Sequence, residues 1–120
     1  MKKIYGQELI VELFGCDLSL LTSRKNVKNF LNGLKDAGKF SFYGKPMIKR
    51  FMGGGHFGEG YSFLQFLSSS SIAGHYIEGD RVVFLNVFSC SMFNADAVVS
   101  FCTTFFHAKR VRRRLITHKG

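Results

Sequence analysis

Two segments of the chain repeat apolar residues at helical spacing, and most of the remaining apolar residues sit in strand-like runs. Val27, Phe30, Leu31 and Leu34 fall at i, i+3, i+4 and i+7, which is one stripe of an α-helix. Val98, Phe101, Cys102 and Phe105 repeat the pattern. Ser23 is the expected N-cap of the first helix and Gly38 its C′ residue, and Asn94 or Asp96 caps the second. Strands are predicted over residues 7–14, 61–67, 72–77, 81–89 and 111–117, with a further one near 39–50 broken by Gly44-Lys45-Pro46. Two helices cannot cover both faces of a sheet of five or six strands. They are therefore expected together on one face, giving an α+β fold: a two-layer sandwich of a mainly antiparallel sheet with two helices. The other face calls for a partner, most simply a second copy of the chain, so a homodimer is expected.

A length of 120 residues suits a single domain, residues 1–120, around one core. Phe is abundant, with 14 copies against 4 Tyr and no Trp, which points to a core of aromatic side chains. No apolar run approaches the roughly 18 residues that span a bilayer. Met1-Lys2-Lys3 is soon followed by Glu8, Glu12 and Asp17, unlike a signal peptide. A cytoplasmic protein without a membrane partner is expected. The net charge of +9 is concentrated in residues 109–114, Lys-Arg-Val-Arg-Arg-Arg, and the tail. That run alternates poorly with aromatics and no nucleic-acid motif accompanies it, so it reads as a solvated strand edge and no nucleic acid is expected. The three cysteines, Cys16, Cys90 and Cys102, form no CxxC pair and fit no zinc spacing. No metal is expected, and Cys16 and Cys102 read as structural.

Residues 53–60 hold five glycines in eight positions and read as a loop. A phosphate-cradling loop would lead into a helix, whereas a strand follows here. Ser68-Ser69-Ser70-Ser71 alone would be an ordinary polar turn. Its surroundings make it informative: Ser62 lies eight residues before Ser70, His75 five after it, and Cys90 fifteen after His75.

Gly60-Tyr61-Ser62, Ser69-Ser70, His75 and Phe88-Ser89-Cys90 resemble, without a gap, a series found in the bacterial and archaeal S-adenosylmethionine decarboxylases. That series is a Gly-x-Ser strand, a Glu-Ser cleavage site, a histidine five residues on, and a Phe-Thr-Cys motif. Residues 9–17, Leu-Ile-Val-Glu-Leu-Phe-Gly-Cys-Asp, are similar to the family's opening strand. Residues 107–111, His-Ala-Lys-Arg-Val, are similar to its stretch after the last helix.

The resemblance implies a chemistry. Ser70 would attack the carbonyl of Ser69, turning an amide into an ester; elimination would then cut the chain between them and leave a pyruvoyl group at position 70. That cofactor would form a Schiff base with the substrate amine and act as electron sink while CO2 leaves. Ser62 and His75 would assist the cleavage, with His75 as a base, and Cys90 would return a proton to the substrate carbon. The implied substrate is S-adenosylmethionine, decarboxylated to the aminopropyl donor for spermidine.

The chain departs from the family's pattern in places. Ser69 stands where the family has Glu, and Ser71 where His is common. His75 is followed by Tyr76-Ile77-Glu78-Gly79 rather than Thr-x-Pro-Glu. Ile77 thus occupies an adenine-stacking position, with Tyr76 or Phe57 expected to replace that surface and Glu78, one place early, to hold ribose hydroxyls. The alternatives are the decarboxylation of arginine or ornithine, with Glu12, Glu59, Glu78 and Asp80 as candidate counter-ions, and an unprocessed, non-catalytic homologue.

Overall fold

The computed structural model describes residues 3–53 and 58–120. Alternating burial defines strand β1 at Ile4–Phe14, with Gln7, Leu9, Val11 and Leu13 buried and Glu8, Ile10 and Glu12 half-buried between them. A short 3-10 turn at Leu18–Leu20 leads to helix α1, Arg24–Gly38. Strands β2 (Met47–Phe51), β3 (Gly60–Leu67), β4 (Ser70–Ile77) and β5 (Val82–Ser89) follow, then helix α2 (Ala95–Phe106) and strand β6 (Arg110–Lys119). Among the described residues the strands form one six-stranded sheet in the order β2-β3-β4-β5-β1-β6. Every pairing is antiparallel.

The helices form as their caps direct. The Ser23 hydroxyl accepts from the Asn26 N–H at 3.0 Å, and the Asn94 side chain accepts from Ala97 N–H at 3.0 Å, so Asn94 and not Asp96 caps α2. The C′ expectation for Gly38 is corrected. Lys39 takes the left-handed conformation (φ 54), while Gly38 is the last helical residue. A Cβ on Gly38 would lie 2.1 Å from the Phe40 ring, so the glycine accommodates the returning chain. The strand expected near 39–50 is shorter. It begins only after Pro46, because Gly44 turns the backbone (φ 74) and the Gln65 amide takes the carbonyls of Tyr43 and Gly44 that a ladder would need.

Both helices lie on one face of the sheet. Val27, Phe30, Leu31 and Leu34 of α1 and Val98, Val99, Cys102 and Phe106 of α2 pack with Leu9, Leu13, Phe63, Ile72, Tyr76 and Leu85 of the strands in a single core cluster. Phe30 is its centre, with ring centroids 4.7 Å from Phe106, 5.3 Å from Phe105 and 6.1 Å from Phe63. The opposite face carries the alternate residues, including Ser62, Leu64 and Phe66 of β3, Ala73, His75 and Ile77 of β4, and Phe84, Asn86 and Phe88 of β5. No element of the described chain covers it, and Met47, Phe51 and Phe66 there are more than half exposed.

Candidate functional site

The β3–β4 hairpin turns at Ser68 and Ser69, and its register pairs Leu67 with Ser70 and Ser62 with His75. Ser69 has φ 58, a left-handed conformation that costs an L-residue about 1–2 kcal/mol. Cys90, the residue after β5, reaches across to this turn. Its backbone N–H donates to Ser70 Oγ at 2.9 Å, and its thiol donates to the carbonyl oxygen of Ser69 at 2.9 Å. The Ser69–Ser70 peptide is therefore held from both sides by one residue. Tyr43, Phe66 and Phe88 wall a cavity of about 520 Å3 beside the serine run.

Ser62 and His75 form a second pair. Ser62 Oγ lies 2.8 Å from His75 Nδ1, on the uncovered face, in a cavity of about 630 Å3 whose other walls are Phe51, Met52, Ile77 and Phe84. His75 follows Ser70 by five residues on one extended strand, which places their Cα atoms about 16 Å apart. Four residues adjacent in the sequence argument are thus two separate pairs: Ser62 with His75, and Ser70 with Cys90.

The binding residues fare unevenly. Ile77 lines the larger cavity. Tyr76 borders it, but the expectation of a stacking ring is corrected. Strand alternation turns its side chain into the core, edge-on to Phe63 and Phe106, with the hydroxyl buried and unpartnered. Burial, together with the Cys102 and Cys16 thiols, raises the Tyr76 pKa well above its ordinary value. Phe57 lies outside the described residues, as does His56. Glu78 is bound by Arg50, which bridges it to Glu59 with contacts of 3.0 Å to Glu78 and 3.1 Å to Glu59 and stacks 4.9 Å from the Tyr61 ring. The hydrogen bond to Glu78 raises the Arg50 pKa. Glu12 pairs with Arg112 at 3.3 Å. Cys16 and Cys102 are buried, with pKa values pushed up by burial to about 11 and about 12, as structural thiols should be.

A cluster that the sequence reasoning missed lies on the uncovered face near the Cys90 end. Glu8 accepts from the Asn86 amide at 2.7 Å and sits 3.0 Å from His118 Nε2, whose ring packs 5.4 Å from Phe88. The Asn86 hydrogen bond, then that of His118, holds the Glu8 pKa below its ordinary value. Its members are as far as 110 residues apart, so no local spacing announces it; the alternation of β1 is the only signal, placing Glu8 on the same face as Glu12.

Among the described residues no cluster of His, Cys, Asp and Glu could hold a metal ion, and no helix is long and apolar enough to cross a membrane. No curated protein matches the chain. The crystal structure of the adenosylmethionine decarboxylase from Aquifex aeolicus VF5 is similar in fold, with a TM-score of 0.78 at 15% identity, covering 95% of this chain and 90% of that one. The sequence profile of the S-adenosylmethionine decarboxylases matches residues 7–119, and with nearly the whole length matched the chain belongs to the S-adenosylmethionine decarboxylase family.

Proposed function

We propose that this chain cleaves itself between Ser69 and Ser70 and then decarboxylates S-adenosylmethionine to the aminopropyl donor used for spermidine. The observation that carries the reading is the grip of Cys90 on that one peptide, with its thiol on the Ser69 carbonyl and its N–H on the Ser70 hydroxyl. The left-handed Ser69 adds backbone strain that cleavage would release. The Ser70 hydroxyl and the Ser69 carbonyl present there are the groups from which a self-derived pyruvoyl would form, with the Cys90 thiol beside them. That group, on residue 70, would supply the electron sink for loss of CO2. Cys90 would hold a proton beside it for return to the substrate carbon. Ser62 would hold the His75 ring through Nδ1, leaving Nε2 for proton transfer.

We further infer that a second copy completes the site. Ser62 and His75 stand about 16 Å along β4 from Ser70 and cannot act on the Ser69–Ser70 bond of their own chain. The uncovered sheet face carries the Ser62–His75 pair, borders the serine turn through Phe66 and Phe88, and exposes Met47, Phe51 and Phe66. Two such faces related by a two-fold axis would set the His75 end of one against the Ser70 end of the other, burying the exposed residues.

Ile77 in place of a stacking aromatic, and Glu78 engaged by Arg50, support the second reading, a different amino-acid substrate. Arginine or ornithine would need a counter-ion, however, and of the four candidates Glu12, Glu59 and Glu78 are each paired with an arginine, while Asp80 is exposed in the turn between β4 and β5. The larger cavity, with its apolar walls, suits an uncharged group better.

Intact mass tests the reading. Wild type is expected to give two fragments meeting between residues 69 and 70, the C-terminal one with a blocked end, while Ser70→Ala stays whole. CO2 release from S-adenosylmethionine, arginine and ornithine then identifies the substrate. A wild-type chain that stays at 13.6 kDa after long incubation would point to the non-catalytic homologue.

A further inference from the structure

We propose that the chain carries a second binding site, for a small soluble organic phosphate with a planar apolar part, in the cavity between α1 and the segment leading into β2. This site lies on the helix side of the sheet and is independent of the decarboxylase reading.

The cavity measures about 320 Å3, room for a phosphate and a ring. Arg24, Lys28 and Lys45 converge on it. None of the chain's eight carboxylates pairs with any of these three, whereas Arg50, Arg112 and Arg113 each hold one. Arg24 is fixed in place, since its Nη1 donates to the Ile48 carbonyl at 3.1 Å. That leaves its other guanidinium donors for an incoming oxygen. Leu31, Phe42 and Pro46 supply an apolar wall beside the cations. The Lys35 ammonium, 5.7 Å from the centre of the Phe42 ring, adds a fourth positive charge.

Helix electrostatics run against this arrangement. Arg24 and Lys28 stand one turn apart on α1, a like-charge pair that repels. Both lie near the positive end of the helix dipole, where carboxylates are favoured, and the first turn has none. A bound anion would relieve both penalties. The apolar wall then selects an anion that carries a ring over inorganic phosphate.

Phenyl phosphate is the probe, titrated into the wild-type chain at low salt and followed by NMR, with inorganic phosphate and benzyl alcohol as its two halves. Saturable binding with a Kd of about 1 mM or tighter is expected. Inorganic phosphate should bind about fivefold more weakly, and benzyl alcohol not measurably. Lys28→Gln and Lys45→Gln should each weaken phenyl phosphate about 3- to 5-fold. Lys25→Gln removes a charge from the same helix turn but outside the cavity, and should change the Kd by less than about 1.5-fold. Phe42→Leu should bring phenyl phosphate down to the affinity of inorganic phosphate. The three lysines are exposed, so their variants keep the core, and without ligand Lys28→Gln should melt no lower than wild type. Equal weakening by Lys25→Gln and Lys28→Gln would reveal only the diffuse charge of the chain and overturn the site. Loss of binding in His75→Ala would place the probe in the larger cavity and overturn it as well. Displacement of the probe by phosphatidic acid vesicles would make the source a lipid headgroup and overturn the small soluble ligand.

Discussion

Glu8 is a charged group whose surroundings favour its ionised form. With Asn86 and His118 both bonded to it, its folded pKa lies below the ordinary 4.5. A lowered carboxylate pKa stabilises the fold above the unfolded value, and that contribution fades as pH falls through the folded one. Glu8→Gln should therefore melt lower than wild type at neutral pH, and the two melting temperatures should converge as pH drops below about 4.5. Thermal melts between neutral pH and pH 3 measure this; a gap that stays constant would mean that the Glu8 charge is not the source. Tyr76 shows the complementary limit of residue-level reasoning. Beside His75 in the chain it looks like a ligand contact, yet strand alternation gives adjacent residues opposite faces, and its ring belongs to the core.

At the scale of elements, the β3–β4 hairpin orders the site, and Gly74 is its tightest point. Phe63 pairs directly with Gly74, and a Cβ there would lie 2.2 Å from the end of the Phe63 ring. The ring cannot yield, being held edge-on by Tyr76 and packed on Phe30. Gly74→Ala should destabilise by about 1–3 kcal/mol, read as a lower denaturation midpoint at unchanged slope. Part of the loss should return in a Phe63→Leu background, since the two positions share one contact.

The same hairpin explains what was legible in the sequence. Both helices were, because a four-point apolar stripe and a capping side chain are local features. So was the Ser62–His75 pair in principle: a turn at Ser68-Ser69 that pairs Leu67 with Ser70 also pairs residues 62 and 75. The early part of the 39–50 segment was misread because its carbonyls go to Gln65, a partner 21 residues away. Arg50 with Glu78, and Glu8 with His118, escaped notice for the same reason: contacts across 28 and 110 residues are set by sheet order rather than by spacing. The residues of the candidate site were readable, but their division into two pairs was not. Linear spacing places Ser70 and His75 close in number, whereas an extended strand holds them about 16 Å apart.

That separation has a consequence for the whole molecule. If the site is completed by a second copy across the uncovered face, each chain lends its Ser62–His75 pair to the other and keeps its own Ser70–Cys90 pair. A Ser70→Ala chain cannot be cut but still carries His75; a His75→Ala chain can be cut only when another copy supplies the base. Each variant alone should fail to yield the two fragments. Mixed under conditions that allow subunits to exchange, they should yield fragments of the His75→Ala chain and none of the Ser70→Ala chain, distinguishable by a mass tag on one of them. Adding Phe66→Lys to both should suppress that rescue, because a charge would then be buried in the apolar centre of the interface. Rescue cannot come from repair within a chain, since neither chain holds the full set. Confirmed exchange of subunits without fragments would show that the two pairs never meet, and would leave His75 without a part in the cleavage.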